Sequence, residues 1–199
     1  MKDPIDFYFE FSSPYGYFAS TQIEALAEEL KRQVRWHPIL LGPMFQATGS
    51  APLVEIPVKG QYFVHDFDRT AQLFNIPFQL PEPFPIGTVS AARAMLYVQQ
   101  KDSALATRLA KRLYHAYFAE GQNISKTEVV LAVAGQVGLS ATELEAGIAQ
   151  DDIKALLKQN VSDAMARGVF GSPFMIVDGE SFWGFDRFDH IRRWLQQQA

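Results

Sequence analysis

Ser12-Ser13-Pro14 stands where an alternating aromatic strand gives way to a helix, and this is the stretch of the 199-residue chain best placed to do chemistry. Ile5, Phe7, Phe9 and Phe11 alternate with Asp6, Tyr8 and Glu10, the period-2 pattern of a strand. Pro14 suits the first helical position, where a missing N–H is no loss, and Ser13 is the natural N-cap before it. A hydroxyl and free N–H groups at the positive end of a helix favour an anion or a thiolate. Taken alone, the stretch reads first as a capped helix, and a chemical role for Ser13 depends on residues at the far end of the chain.

The chain contains no cysteine, which removes disulfides, thiolate metal ligands and dithiol redox chemistry together. Any sulfur nucleophile must arrive with a bound thiol. His37, His65, His115 and His190 are dispersed and form no i,i+4 metal pair, and no Ser-His-Asp pattern makes Ser13 a hydrolase nucleophile. His65 and Asp66 read as surface residues of a helix near the site. The net charge of −4, with no basic run longer than Arg192-Arg193, argues against a nucleic-acid partner. No long apolar run suggests a membrane span, and no signal peptide is visible, so a cytoplasmic protein is expected. The 16 phenylalanines suit a core, or a pocket for a flat apolar substrate.

Helical spacing of Ile23, Leu26, Ala27 and Leu30 predicts a helix over Pro14 to Leu30, and Val34 to Ile39 reads as a second strand, giving a right-handed βαβ unit. After Leu41, Gly42-Pro43, Thr48-Gly49-Ser50 and Ala51-Pro52 read as loop. Helices are expected over Gly60–Phe74, Val89–Gln100, Ser103–Ala119, Lys126–Val137 and Ala141–Ala149, with capping boxes at Ser125 and Ser140. Four prolines between Ile76 and Ile86 impose a stiff extended loop. A helix from Asp151 to Arg167, a hairpin about Asp178-Gly179 and a last helix capped by Asp186 complete the chain. The fold expected is α/β: a thioredoxin-like domain of residues 1–41 and 151–199, interrupted by an all-helical insertion of residues 42–150. A generic α/β sandwich with a helical cap is the alternative.

Phe11-Ser-Ser-Pro-Tyr15, Gly168-Val-Phe-Gly-Ser-Pro173 and Trp183-Gly-Phe-Asp-Arg187 occur in an order and spacing that resemble the 2-hydroxychromene-2-carboxylate isomerases and kappa-class glutathione transferases, a branch of the DsbA-like thioredoxin superfamily. The resemblance covers essentially the whole chain. It implies that Ser13 contacts the sulfur of glutathione, where dithiol oxidoreductases carry a cysteine, with Pro14 and Tyr15 beside it. A free thiol of pKa about 8.5 is mostly protonated at neutral pH, and each unit of depression is about 1.4 kcal/mol of preference for the thiolate. Ser12 is expected to be structural.

The same resemblance makes Ser172-Pro173 a cis-proline turn whose backbone holds the cysteinyl part of glutathione. It places Phe185 and Asp186 at the γ-glutamyl end, Ser50 among the glutathione contacts and Lys59 towards the glycyl carboxylate. Asp186 and Lys59 have plain alternatives as a helix cap and a solvated lysine. Phe45 falls where isomerases of the family carry a basic residue that places the acidic substrate, a departure from the pattern. Phe84 falls near an aromatic substrate contact. The implied activity is glutathione-dependent interconversion of 2-hydroxychromene-2-carboxylate and trans-o-hydroxybenzylidenepyruvate in aromatic-compound degradation. Kappa-type transfer or peroxide reduction is the alternative, and a non-catalytic thioredoxin-fold binding module a third reading. A homodimer is implied by the family.

Overall fold

Strand β1 (Ile5–Phe9) is buried along its whole length, because it is an inner strand with both faces covered. The computed structural model describes residues 2–198. The polypeptide leaves β1 into helix α1 (Pro14–Glu29) and returns as β2 (Val34–Pro38), which runs parallel to β1 with Phe7 opposite Trp36. After a long helical passage the sheet resumes as β3 (Phe174–Val177), antiparallel to β1, and β4 (Glu180–Trp183). The strand order is β2-β1-β3-β4, a thioredoxin sheet. Asp178 (φ 52°) and Gly179 (φ 83°) both take the left-handed conformation that a two-residue hairpin loop requires.

The alternation read from the sequence survives as two different environments. Phe7 and Phe9 stack at 5.5 Å and meet the Trp36 ring, forming the apolar layer. Asp6 and Tyr8 are buried by polar partners: Asp6 accepts from Arg167 at 2.9 Å and contacts His37 at 2.7 Å, while Tyr8 stacks on His37. Burial pushes the Asp6 carboxyl up, but His37 and Arg167 outweigh it and hold the group below its usual value.

The helical passage comprises α2 (Leu41–Thr48), α3 (Lys59–Phe74), α4 (Val89–Gln99), α5 (Ser103–Phe118), α6 (Thr127–Gln136) and α7 (Ala141–Ile148), followed by α8 (Asp151–Ala166). Helix α5 packs on α1, and α4 packs on both α8 and β2, so one apolar core runs from the sheet into the helices. Helix α9 (Phe188–Gln197) closes the chain. Among the described residues no helix is long and apolar enough to cross a membrane.

Three local expectations are corrected. Leu41 to Thr48 is helix rather than loop: Pro43 lies in the first turn, where its missing N–H is tolerated, and Gly49 (φ 66°) ends the helix as a left-handed cap. Ser125 caps no helix, because its hydroxyl and N–H are both engaged by Asn123 Oδ1, at 2.6 and 3.0 Å; α6 begins after Lys126 instead. Asp186 does not cap the last helix, since a 3-10 turn over Phe185–Arg187 precedes it and the Asp186 carboxylate pairs with Arg187 at 2.6 Å. At α7, Ser140 Oγ does accept the Glu143 N–H, at 3.3 Å.

Candidate active site

The end of β1, the start of α1 and the loop before β3 converge on one set of hydrogen bonds. Ser13 has extended backbone (φ −94°, ψ 113°), and its hydroxyl accepts the Gly16 N–H at 3.0 Å, the N-cap geometry expected of it. The same hydroxyl donates to the Ser172 carbonyl at 2.9 Å, tying positions 159 residues apart. Pro14 has no N–H and Gly16 is engaged, so among the described residues the Tyr15 amide is the free donor of the helix N-terminus. Ser172 is held in turn, its hydroxyl accepting the Glu10 N–H at 3.0 Å. Its peptide bond to Pro173 is cis.

Beneath the serines lies a carboxyl group that sequence reasoning left on the polar edge of the strand. Glu10 is only 5% exposed, and its side chain accepts the Ser12 N–H at 2.8 Å and the hydroxyl of buried Thr88. Its backbone carbonyl accepts Tyr114 Oη at 2.8 Å. Burial raises the Glu10 pKa to about 7, with the Thr88 and Ser12 hydrogen bonds opposing the rise. The group is therefore partly neutral near pH 7, which lessens its repulsion of an anion at Ser13. Ser12 Oγ accepts the Ile86 N–H at 3.0 Å, fastening the proline-rich loop to this centre. Of the six buried polar or charged side chains among the described residues, Glu10, Ser12, Ser13 and Thr88 belong to this one cluster. The available signal was an acid set between Phe9 and Phe11, just ahead of the serines.

These groups form one wall of a cavity of about 740 Å³. Ser13, Pro14, Tyr15, Phe45, Ser50, Phe84 and Ser172 all line it, together with Glu10 and Thr88. Tyr15 donates to Asp66, which Arg69 also contacts; burial and then Asp66 push the phenol far above its usual pKa, so it remains a donor. Phe67 lies edge-on to Tyr15 at 5.1 Å and to Phe84 at 6.4 Å. Phe170 and Trp183, with ring centroids 4.9 Å apart, also line the cavity while half exposed. Gly171 lets them meet: a Cβ there would lie 2.4 Å from Trp183 Nε1.

Four residues of the sequence-derived set lie off this wall. Pro173 sits behind Ser172 and accepts the Gly184 N–H at 3.0 Å, which joins the two late motifs. Phe185 is buried against Phe74, Phe188 and Phe18. Asp186, exposed and paired with Arg187, lies three residues beyond Trp183. Lys59 is exposed at the start of α3, where the next residue, Gly60, backs onto the carbonyl of the lining residue Val54. Among the described residues no group of histidine, aspartate and glutamate is arranged to hold a metal ion.

The DsbA-like thioredoxin domain model matches residues 4–196. A glutathione S-transferase kappa 1 of Caenorhabditis elegans is 29% identical, the match covering 97% of this chain and 91% of that protein. A 2-hydroxychromene-2-carboxylate isomerase of Sphingobium xenophagum is also 29% identical, over 98% and 99%. The solved structure of a 2-hydroxychromene-2-carboxylate isomerase superposes with a TM-score of 0.87 at 25% identity, covering 98% of this chain and 95% of that one. With the thioredoxin sheet and the serine at the head of its first helix, these findings establish that the chain belongs to the DsbA-like thioredoxin family, within which it is similar to 2-hydroxychromene-2-carboxylate isomerases and kappa-class glutathione transferases.

Proposed function

We propose that the protein is a glutathione-dependent isomerase of conjugated aromatic carbonyl compounds. The observation that carries this reading is the Ser13 hydroxyl, at a helix N-terminus and on the wall of a large apolar cavity, bonded to the carbonyl of Ser172. Bound glutathione supplies the thiolate nucleophile that a cysteine-free chain lacks. The residues present fit such a tripeptide: the Ser172 carbonyl on the cavity wall is an acceptor for a peptide N–H, and the Tyr15 amide is a free donor.

Ser172 and Ser13 then act in sequence. The Ser172 carbonyl would hold a peptide N–H of glutathione, and the Ser13 hydroxyl, freed from that carbonyl and still held at the Gly16 N–H, would then be a donor for its sulfur. The hydroxyl and the helix N-terminus lower the thiol pKa. Asp186 and Lys59 are assigned the two charged ends of the tripeptide, and Phe45 and Phe84 the aromatic substrate. The interconversion of 2-hydroxychromene-2-carboxylate and trans-o-hydroxybenzylidenepyruvate belongs to this reaction class. Equal identity to a kappa transferase keeps a second reading in view, transfer of glutathione to an aryl halide.

The test is to follow the ultraviolet spectrum of a benzylidene carbonyl substrate with and without glutathione, alongside glutathione calorimetry. Activity that requires glutathione supports the reading, and equal rates without it overturn it. Ser13→Ala is expected to lower kcat/KM about tenfold and to raise the pKa on the acid limb of the pH–rate profile by about one unit. An unchanged profile would remove Ser13 from the thiolate site.

A further inference from the structure

The wall of the cavity carries hydroxyls, backbone groups, one buried carboxyl and many apolar side chains, but no lysine, arginine or histidine among the described residues. The only acid on it is Glu10, and the phenol of Tyr15 is already directed to Asp66. Cations beside the wall are engaged elsewhere: Arg69 on Asp66 and Arg187 on Asp186, while Lys59, off the wall, is assigned to a charged end of glutathione. The free amide at the head of α1 favours an anion, and the proposed thiolate takes it; Leu41-Gly42 and Val89, at the heads of α2 and α4, also line the wall, so its anion-favouring groups are backbone amides and not cations. Phe67 and Phe84, edge-on to one another at 6.4 Å, line this space, and Phe45 and Leu53 extend the apolar lining. A carboxylate moved from water into this space would lose its hydration and gain no cation.

From this charge pattern, and resting on the glutathione reading above, we infer that the acceptor side of the site selects an uncharged, planar, conjugated aromatic carbonyl compound over its carboxylate analogue. A ketone or aldehyde carbonyl needs only a hydrogen-bond donor, and its ring is matched by Phe67 and Phe84. Size does not decide the choice, since a methyl ketone and an α-keto acid of the same skeleton are nearly equal in length. Charge does.

The discriminating pair is benzylideneacetone, which is neutral, and benzylidenepyruvate, which carries a carboxylate on the same conjugated frame. Binding of each trans isomer is measured by calorimetry without glutathione, and isomerisation of each cis isomer with glutathione. The neutral ketone is expected to bind and to react at least about tenfold better, a modest reflection of the cost of an unpaired buried charge. Phe45→Arg is expected to reverse the preference while leaving the glutathione affinity unchanged. Val89→Arg, at a cavity-lining position 38% exposed where a long side chain has room, is the second variant should the first not fold. Equal or tighter binding of the acid, or no binding of either compound, overturns the inference. Failure of the glutathione reading is seen separately, as absence of glutathione binding in a chain that still discriminates between the two ligands.

Discussion

Replacing Glu10 by glutamine is expected to stabilise the protein at pH 8.5 and to leave its stability nearly unchanged at pH 4. The buried carboxyl has its pKa raised from 4.5 to about 7. Below pH 4.5 the folded and unfolded chains both hold the proton. Between pH 4.5 and 7 the unfolded chain loses it while the folded chain keeps it, so rising pH favours unfolding over that window. Above pH 7 both forms are ionised and the loss is complete, roughly 3 kcal/mol at about 1.4 kcal/mol for each unit of pH. Glutamine keeps the hydrogen bonds of the protonated acid: its carbonyl accepts the Ser12 N–H and its amide donates to Thr88 Oγ, the places the carboxyl oxygens hold now. Urea unfolding of both proteins from pH 4 to pH 8.5 should show a difference that grows across the window and then levels off. A difference independent of pH would mean that Glu10 ionises normally in the fold. Other carboxylates, Asp6 among them, titrate alike in both proteins and cancel.

Glu10 also shows what the sequence could and could not yield. The strand-to-helix junction at Ser13-Pro14 was legible because its determinants are local: an N-cap side chain and a proline of fixed φ. The βαβ unit and the hairpin at Asp178-Gly179 were legible for the same reason. Whether Glu10 faces water or core depends on Thr88, 78 residues away, and on Tyr114, 104 residues away, so no spacing rule reaches it. Helix α2 is not legible in the sequence, because Gly42-Pro43 and Thr48-Gly49 are turn signals as well as helix punctuation, proline in a first turn and glycine after a last one. Phe45 and Phe84 were selected by resemblance, and the fold sets both on the cavity. The same resemblance named Phe185 and Asp186, which the fold sets off it, the one among core aromatics and the other beside Arg187. That no lysine or arginine among the described residues lines the wall is likewise a tertiary fact, since the chain has 18 of them to place.

Gly16→Ala is expected to damage both stability and activity, although alanine is ordinarily the better helix residue. Intrinsic propensity favours alanine in a helix by up to about 1 kcal/mol. At this position, however, a Cβ would lie 2.6 Å from Tyr114 Oη, 2.7 Å from Ser172 Oγ and 3.1 Å from Ser13 Cβ. None of the three can yield cheaply. Tyr114 is wholly buried and bonded to the Glu10 carbonyl, Ser172 Oγ holds the Glu10 N–H, and Ser13 is the helix cap. Overpacking a well-ordered core by one methyl costs about 1–3 kcal/mol and here reaches the upper end, leaving a net loss of about 2 kcal/mol after the propensity gain. The methyl also drives Ser172 from Ser13, so glutathione affinity should fall with stability. Tyr114→Phe removes the nearest of the three obstructing atoms, and in a double-mutant cycle it should recover part of the loss. If Gly16→Ala instead matches the parent in urea and in glutathione calorimetry, Ser172 and Ser13 are not held at a fixed separation, and the hydroxyl exchange assigned to them loses its structural basis.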